Sequence, residues 1–290
     1  MAKLRQIKVG SSPQKRFVQR HTRAMVATYV LVHGAGHGGW CYQSVARLLR
    51  AEGHDVYTPT LTGLGERSHL LTPEVGLDTH IADVANLLFH EDLHDVILAG
   101  HSHGGIVITG AADIALDRVG QLVFLDAAIF YDGESLAEVE PAATAFYTEA
   151  KTVNGVDLVL WPDEPIARSI SGVEDEADWA WMRERLRPHP WRGFTDRLRL
   201  HNPEAVARLP RTVVNCTSTL RMRQGESLDR YHVGDRIWEI DTGHDLMITA
   251  PEKDGGNAVA ACRSGQALTR LAGLEIDEIR GSQNSVPESP

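Results

Sequence analysis

The chain has 290 residues, of which 42% are hydrophobic and 23% are charged, and its formal net charge at pH 7 is −10. These values are typical of a globular protein that buries a sizeable core, and the acidic charge argues against a surface that follows nucleic-acid phosphates. We therefore expect no nucleic-acid partner. No run of about 18 apolar residues is present, so we expect no membrane partner either.

Residues 1–25 contain several lysines and arginines and no acidic residue. They lack the apolar stretch of about 7–15 residues that a secretory signal needs. We predict a disordered basic extension, with two alternatives left open. Translation could begin at Met25, or the segment could be a basic arm for a membrane or an acidic partner.

Residues 26–127 alternate short β-rich runs with helical patterns, which is typical of βαβ units and a mostly parallel sheet. Asp78 is a predicted N-cap for one of these helices. The predicted strands are 27–32, 55–61, 95–99 and 121–126, and the predicted helices are 39–52, 78–90 and 104–117.

The alternation stops between residues 128 and 209, where no buried strand is apparent. Four tryptophans cluster there, and they favour the lining of a substrate pocket, although packing against the core is equally compatible. They are Trp161, Trp179, Trp181 and Trp191. We predict that 128–209 is a helical cap.

The pattern resumes with a strand at 211–216, a helix near 225–233 and a strand at 235–240. Residues 26–127 and 210–280 are therefore predicted to form one α/β core, a doubly wound and mostly parallel sheet, into which the cap is inserted. Residues 281–290 are predicted to be a disordered tail.

A G-x-S-x-G motif, Gly100-His101-Ser102-His103-Gly104, comes directly after an apolar strand and before a helix. In that context the serine sits on a sharp turn that lifts its hydroxyl above the sheet edge, and side chains at both glycine positions would meet neighbouring backbone. The helix N-terminus adds a positive field where an oxyanion develops. The motif predicts that Ser102 is a nucleophile; an idle serine in a Gly-rich loop is the alternative.

Serine attack needs a proton acceptor, and histidine is the usual one. Among fourteen histidines, His244 follows the last predicted strand, at the same sheet edge as Ser102. We predict that His244 is the base. No set of histidines and carboxylates has convincing ligand spacing, so we expect no metal and no cofactor.

Three stretches carry a family resemblance: residues 30–69, which include HGAGHGGW, the LAGHSHGG run at 98–105, and TGHDLMITAPE at 242–252. Together they resemble the plant methylesterase and hydroxynitrile lyase branch of the α/β hydrolases, and more closely its bacterial esterase relatives. The resemblance implies an α/β-hydrolase fold, small-ester hydrolysis, and an oxyanion hole made by the backbone N–H groups of Ala35 and His103. Hydroxynitrile lyases of this branch need a lysine after the catalytic histidine. Asp245 stands there, so cyanohydrin cleavage is not expected.

The acid of the triad departs from the family pattern. Plant members place it after the strand equivalent to 211–216, where this chain has only hydroxyls at 217–219. Asp126, at the end of the preceding strand, is the predicted substitute, as in haloalkane dehalogenases. Asp229 and Asp245 remain alternatives.

The predicted function is a serine esterase that cleaves a small to medium hydrophobic carboxylic ester through an acyl-enzyme. A thioesterase or lactonase would use the same groups, and a catalytically silent ligand receptor is the alternative from another class. The three cysteines form no C-x-x-C pair and leave one unpaired, which indicates a reducing compartment and predicts a cytoplasmic protein. The expected partner is a small-molecule ester, and a homodimer is left open.

Overall fold

A computed structural model describes residues 26–141 and 150–251. The predictions for residues 1–25, for the end of the core after 251 and for the tail at 281–290 lie outside these residues. Within them, no helix is both long enough and apolar enough to cross a lipid bilayer.

The strands and helices alternate along the core, and each takes a label in chain order. The strands are β1 (Thr28–Val32), β2 (Asp55–Tyr57), β3 (Val96–His101), β4 (Val119–Leu125), β5 (Ala150–Val153), β6 (Val156–Val159), β7 (His189–Pro190), β8 (Arg211–Cys216) and β9 (Arg236–Ile240).

The α-helices of the described residues range from one turn to nearly four turns. They are α1 (Gln43–Ala51), α2 (Leu77–His90), α3 (Gly104–Ile114), α4 (Leu136–Val139), α5 (Glu164–Ser171), α6 (Glu176–Arg185), α7 (Arg192–Thr195), α8 (Pro203–Ala207), α9 (Thr217–Leu220), α10 (Gly225–Asp229) and α11 (Leu246–Thr249). Short 3₁₀ helices span Gly39–Tyr42, Gly65–Leu70 and Leu116–Arg118.

Six strands form the central sheet in the order β2-β1-β3-β4-β8-β9, and every neighbouring pair is parallel. Parallel sheets need cover on both faces, which is why a central strand such as β3 is buried along its whole length and apolar over residues 96–99. Helices α1 and α11 pack on one face, while α2, α3 and α8 pack on the other. The predicted α/β class and doubly wound parallel sheet are confirmed.

The segment between β4 and β8 contains α4 to α8 and a separate antiparallel sheet in the order β5-β6-β7. This sheet adds strands to a segment that was predicted to be a helical cap with no apparent buried strand. Its β5–β6 hairpin turns at Asn154 and Gly155, whose φ angles are 51° and 79°. Asn-Gly is the preferred pair for such a two-residue turn, so the sequence carried a signal for the hairpin.

Because neighbouring strands are parallel, the carboxyl ends of β3, β4, β8 and β9 lie at one edge of the sheet. Ligands of open α/β sheets bind at this edge. The central strands deliver Ser102 after β3 and Asp126 after β4, and the edge strand β9 is followed a few residues later by His244.

Candidate active site

Ser102 occupies a strained turn between β3 and α3. Its φ is +52°, in the left-handed region, which residues other than glycine seldom adopt apart from asparagine and aspartate. Such a conformation costs roughly 1–3 kcal/mol and persists only where surrounding contacts impose it. Here the Ser102 N–H donates to the Leu125 carbonyl at 3.1 Å, and its carbonyl accepts from Gly105 N–H at 2.9 Å. The turn is therefore held on both sides, and the hydroxyl is presented at the sheet edge.

The glycines around Ser102 are required by close backbone approach. A Cβ at Gly100 would overlap the Gly104 carbonyl, and one at Gly104 would lie 2.6 Å from the Val32 carbonyl oxygen. A Cβ at Gly34 would lie 3.0 Å from Cβ of Ser102. The loop after β1 is thus packed directly against the serine turn.

Asp126 and His244 are joined by a short contact. His244 Nδ1 lies 2.5 Å from Asp126 Oδ2, slightly shorter than the roughly 2.7–2.9 Å typical of a charge-assisted N–H···O hydrogen bond. Because an ionised carboxylate can only accept, Nδ1 carries the proton and Nε2 is left as the basic nitrogen. This is the arrangement that a general base needs.

The Asp126 carboxylate is fully buried and receives three further donors. The Cys216 N–H donates to Oδ1 at 3.2 Å, the Thr219 hydroxyl donates to Oδ2 at 2.7 Å, and Arg223 Nη1 lies 3.4 Å from Oδ1. Burial alone would raise the pKa of Asp126, but the Arg223 charge and the His244 hydrogen bond outweigh it. They hold the pKa well below its usual range. Asp126 is therefore ionised at neutral pH.

His101 holds the loop that carries His244 against the serine turn. His101 Nε2 donates to the His244 carbonyl at 2.9 Å, and the two rings are 4.5 Å apart between centroids. Burial, followed by the neighbouring His244, lowers the pKa of His101 to about 3. His101 is thus neutral, and the hydrogen bond to the His244 carbonyl selects the tautomer that is protonated on Nε2.

The backbone N–H groups of Ala35 and His103 have the features expected of an oxyanion hole. Both residues line the cavity that also contains Ser102 and His244. Within the described part of the chain, neither amide donates to a protein acceptor. Two donors beside the serine are therefore available to a ligand oxygen.

Two core histidines fix the loop that contains Ala35. His33 Nδ1 donates to the Gly34 carbonyl at 2.8 Å, and its Nε2 accepts from Leu61 N–H at 3.0 Å. His37 Nδ1 donates to the Ala35 carbonyl at 2.9 Å. Burial lowers the pKa of His33 to about 3, so that ring remains neutral.

The four cap tryptophans do not share one role. Trp161 lines the cavity with Ser102. Trp179 and Trp181 belong to a second apolar cluster, against which Trp161 also packs, and Trp181 lies edge-on to Trp40 at 5.1 Å. Trp191 stacks on Phe194 at 5.7 Å. Of the four predicted substrate-lining residues, Trp161 lies at this cavity, whereas the rings of Trp179, Trp181 and Trp191 pack against other side chains.

The two alternative acids lie elsewhere. Asp229 ends α10, and no hydrogen bond or ion pair between it and His244 occurs among residues 26–141 and 150–251. The buried Asp245 carboxylate faces the core, with Oδ1 at 3.2 Å from His37 Nε2 and 4.0 Å from His101 Nε2. The geometry favours Asp126 over both.

Three buried histidines form a cluster that the sequence did not predict. His80, His103 and His189 each bring a ring nitrogen to within 4.8 Å of the others. His80 Nε2 donates to the Thr62 carbonyl, so its Nδ1 accepts from His103 Nε2 at 3.3 Å. His189 Nδ1 accepts from Gly36 N–H, which places its proton on Nε2. These tautomers describe a hydrogen-bonded cluster and do not direct three lone pairs at one ion.

Several residues of the site were not found from sequence. Thr219 and Arg223 contact Asp126 from more than 90 positions away, and no local motif marks them. For Thr219 a partial signal existed, because it lies in the hydroxyl run where the resemblance places an acid.

A family model described as "Alpha/beta hydrolase family" matches residues 29–254. A carbendazim hydrolyzing esterase from Nocardioides sp. (strain SG-4G) is 45% identical over 164 residues, covering 54% of this chain and 68% of the relative. The methylesterase MES16 of Arabidopsis thaliana, named for pFDCC, is 30% identical over 201 residues, covering 65% of this chain and 75% of the relative.

Among solved structures, an extracellular alpha/beta-hydrolase from a Paenibacillus species aligns with a TM-score of 0.67 and 25% identity. The alignment covers 78% of this chain and 94% of that one. The similarity to bacterial esterases and plant methylesterases confirms the predicted branch, and it supports ester hydrolysis as the general activity. The chain belongs to the alpha/beta hydrolase family.

Proposed function

We propose that this chain is a serine carboxylic ester hydrolase that works through an acyl-enzyme, with Ser102, His244 and Asp126 as its triad. The observation that carries the proposal is the 2.5 Å contact between His244 Nδ1 and Asp126 Oδ2. Ser102, on its strained turn, lines the same cavity as His244. The site thus holds a nucleophile, a base and an ionised acid.

In the first half-reaction, Ser102 Oγ bonds to the ester carbonyl carbon while its proton passes to His244 Nε2. The carbonyl oxygen gains the electron pair of the C=O bond and accepts hydrogen bonds from the Ala35 and His103 N–H groups. Asp126 stabilises the imidazolium that forms. When the C=O bond re-forms, the alcohol leaves with the proton from His244.

In the second half-reaction, water replaces the alcohol. His244 Nε2 takes a proton from the water as its oxygen bonds to the acyl carbon, and the same two amides hold the new oxyanion. Collapse breaks the bond to Ser102 Oγ, which regains a proton from His244 and releases the carboxylic acid. Enzyme groups return to their starting state.

The cavity walls favour a hydrophobic ester of small to medium size. Apolar and aromatic side chains dominate the lining near Ser102, which is typical of small-molecule sites with few polar groups. They include Phe130, Leu136, Trp161, Phe194, Met222 and Tyr231.

The test is labelling with a fluorophosphonate, followed by a substrate panel. We expect one covalent adduct, located at Ser102 by peptide mass spectrometry, and none in Ser102→Ala. The panel should contain aryl acetate and octanoate esters, a thioester, a lactone and carbendazim. Turnover of a carboxylic ester that disappears in Ser102→Ala supports the proposal.

Two outcomes would contradict it. An unlabelled protein without turnover would favour a silent ligand receptor. Preference for the thioester or the lactone by about 100-fold or more would favour those hydrolases.

A further inference from the structure

The cap is hydrogen-bonded at Gly36 to the loop of residues 33–40, the oxyanion loop. The Gly36 N–H donates to His189 Nδ1 at 3.2 Å, and the Gly36 carbonyl accepts from Arg187 N–H at 2.9 Å. Gly36 has a φ of +72°, and a Cβ at this position would overlap the Trp161 indole. Both polar groups of a residue in the core loop are therefore satisfied by the cap.

These contacts bear on the proposed oxyanion donor at Ala35. The Gly36 N–H belongs to the peptide group whose carbonyl, that of Ala35, accepts from His37. This peptide is thus held by the cap at its N–H end and by the core at its carbonyl end. Since the preceding peptide supplies the Ala35 N–H, a rotation at Gly36 would turn that donor away from Ser102.

His189 also contacts the second half of the hole. Its ring lies 4.6 Å from the His103 ring, edge to face, and the two rings are fully buried. Gly193 makes room for them, because a Cβ there would lie 3.3 Å from His103 Cε1. One cap side chain therefore touches both segments that carry the Ala35 and His103 amides.

The position of His189 is fixed by the cap's own fold. It lies in β7, where it is paired with Val159 of β6. A strand side chain that is held in this way is a firmer support than a loop side chain, because its backbone is already ordered by the ladder.

We propose that His189 is a positioning residue, which together with the Arg187 amide holds the Ala35 and His103 N–H groups in place, so that transition-state stabilisation depends on the docked cap. This inference rests on the proposed serine mechanism. His189 does not touch the reacting atoms. It acts through Gly36 and His103.

The experiment compares two inhibitors on full-length variants. A trifluoromethyl ketone adds to Ser102 and forms a hemiketal oxyanion in the hole, whereas the matching methyl ketone occupies the cavity without forming one. The inhibitor ratio is the inhibition constant of the methyl ketone divided by that of the trifluoromethyl ketone. It measures stabilisation of the oxyanion, and effects on cavity binding cancel in it. His189→Leu removes the acceptor, and His189→Asn keeps an oxygen acceptor near the place of Nδ1. His189→Ala serves if the leucine variant does not fold.

We expect His189→Leu to lower kcat and the inhibitor ratio together, each by about 10- to 100-fold, less than or comparable to loss of a whole oxyanion donor. His189→Asn should stay within about threefold of the wild type. Met182→Ala, which removes buried cap packing in α6 but neither of the two Gly36 hydrogen bonds, should lower the melting temperature and leave the ratio unchanged.

The proposal is overturned if His189→Leu keeps both quantities within about threefold, or if Met182→Ala lowers the ratio equally. If Ser102→Ala is inactive while His189→Leu is normal, the positioning role alone fails. If Ser102→Ala retains turnover, the serine mechanism itself fails.

Discussion

Thr219 donates its hydroxyl hydrogen to Asp126 Oδ2 at 2.7 Å, and this is the same oxygen that faces His244 Nδ1. The sequence resembles the plant methylesterase and hydroxynitrile lyase branch, whose members have a carboxylate in the run after β8. In this chain that run supplies a hydroxyl, which supports a carboxylate delivered by β4. Asp126 therefore reaches His244 from the end of β4.

Thr219→Val is expected to destabilise the protein more than it slows catalysis. The lost hydrogen bond has a charged acceptor and is worth roughly 1.5–3 kcal/mol of unfolding free energy. The value of kcat should fall by less than about tenfold, since Cys216 N–H and Arg223 still hold Oδ1. Urea unfolding and ester kinetics measure the two effects. Thr219→Ser is the matched control and should restore both, whereas a loss of kcat by 1,000-fold would give Thr219 a larger part in the reaction.

Asp245→Asn should lower stability in a pH-dependent way. Burial disfavours the charged forms of both partners. However, the attraction between His37 and Asp245 prevails, and it raises the pKa of His37 and lowers the pKa of Asp245. The contribution of His37 is therefore present below about pH 6.5 and is lost as pH rises through its raised pKa. That of Asp245 is present above about pH 4 and is lost as pH falls through its lowered pKa.

The pair should consequently contribute most between about pH 4 and 6.5. Removing one partner of a buried pair costs about 3 kcal/mol or more, which corresponds to a melting temperature about 6–12 °C lower at pH 5.5. At pH 9 the loss should be smaller, because the charged fraction of His37 in the wild type falls as pH rises through its raised pKa. Asp92→Asn, at an exposed ion pair, should change little at either pH. An equal loss at both pH values for Asp245→Asn would contradict this account.

Trp161→Leu should reduce the preference for long acyl chains. The indole lines the cavity, and loss of about 1–2 kcal/mol of apolar contact corresponds to roughly a 5- to 30-fold change. The measurement is the ratio of kcat/KM for octanoate and acetate esters, which cancels any common effect on the oxyanion loop. Trp181→Leu, whose ring packs against Trp40, should keep the ratio within about twofold. A greater change for Trp181→Leu would reverse the assignment.

What could be predicted from sequence was local. The serine turn is encoded within five consecutive residues, and residues 96–99 before it are apolar. The position of Ser102 could therefore be predicted from its neighbours in the chain. Asp126 and His244 were accessible for a related reason. Parallel topology brings the ends of β4 and β9 to the same edge, which made both residues candidates, but the choice of Asp126 over Asp229 and Asp245 also rested on the likeness to haloalkane dehalogenases.

What could not be predicted depends on contacts between distant segments. The Gly36–His189 hydrogen bond joins positions 153 residues apart, and no sequence motif near either residue predicts it. The tryptophans show the same limit. Their clustering in sequence indicated a shared role. However, helix α6 packs Trp179 and Trp181 into a second apolar cluster.

The most direct test of the triad is the kcat of Asp126→Asn beside that of Asp229→Asn. Asparagine preserves the size of the side chain but removes the charge that stabilises the His244 imidazolium, so kcat should fall by about 10³- to 10⁴-fold. Circular dichroism should confirm that the variant is folded, and Asp229→Asn should remain within about twofold of the wild type. A fully active Asp126→Asn together with an inactive Asp229→Asn would contradict the assignment and place the acid after β8.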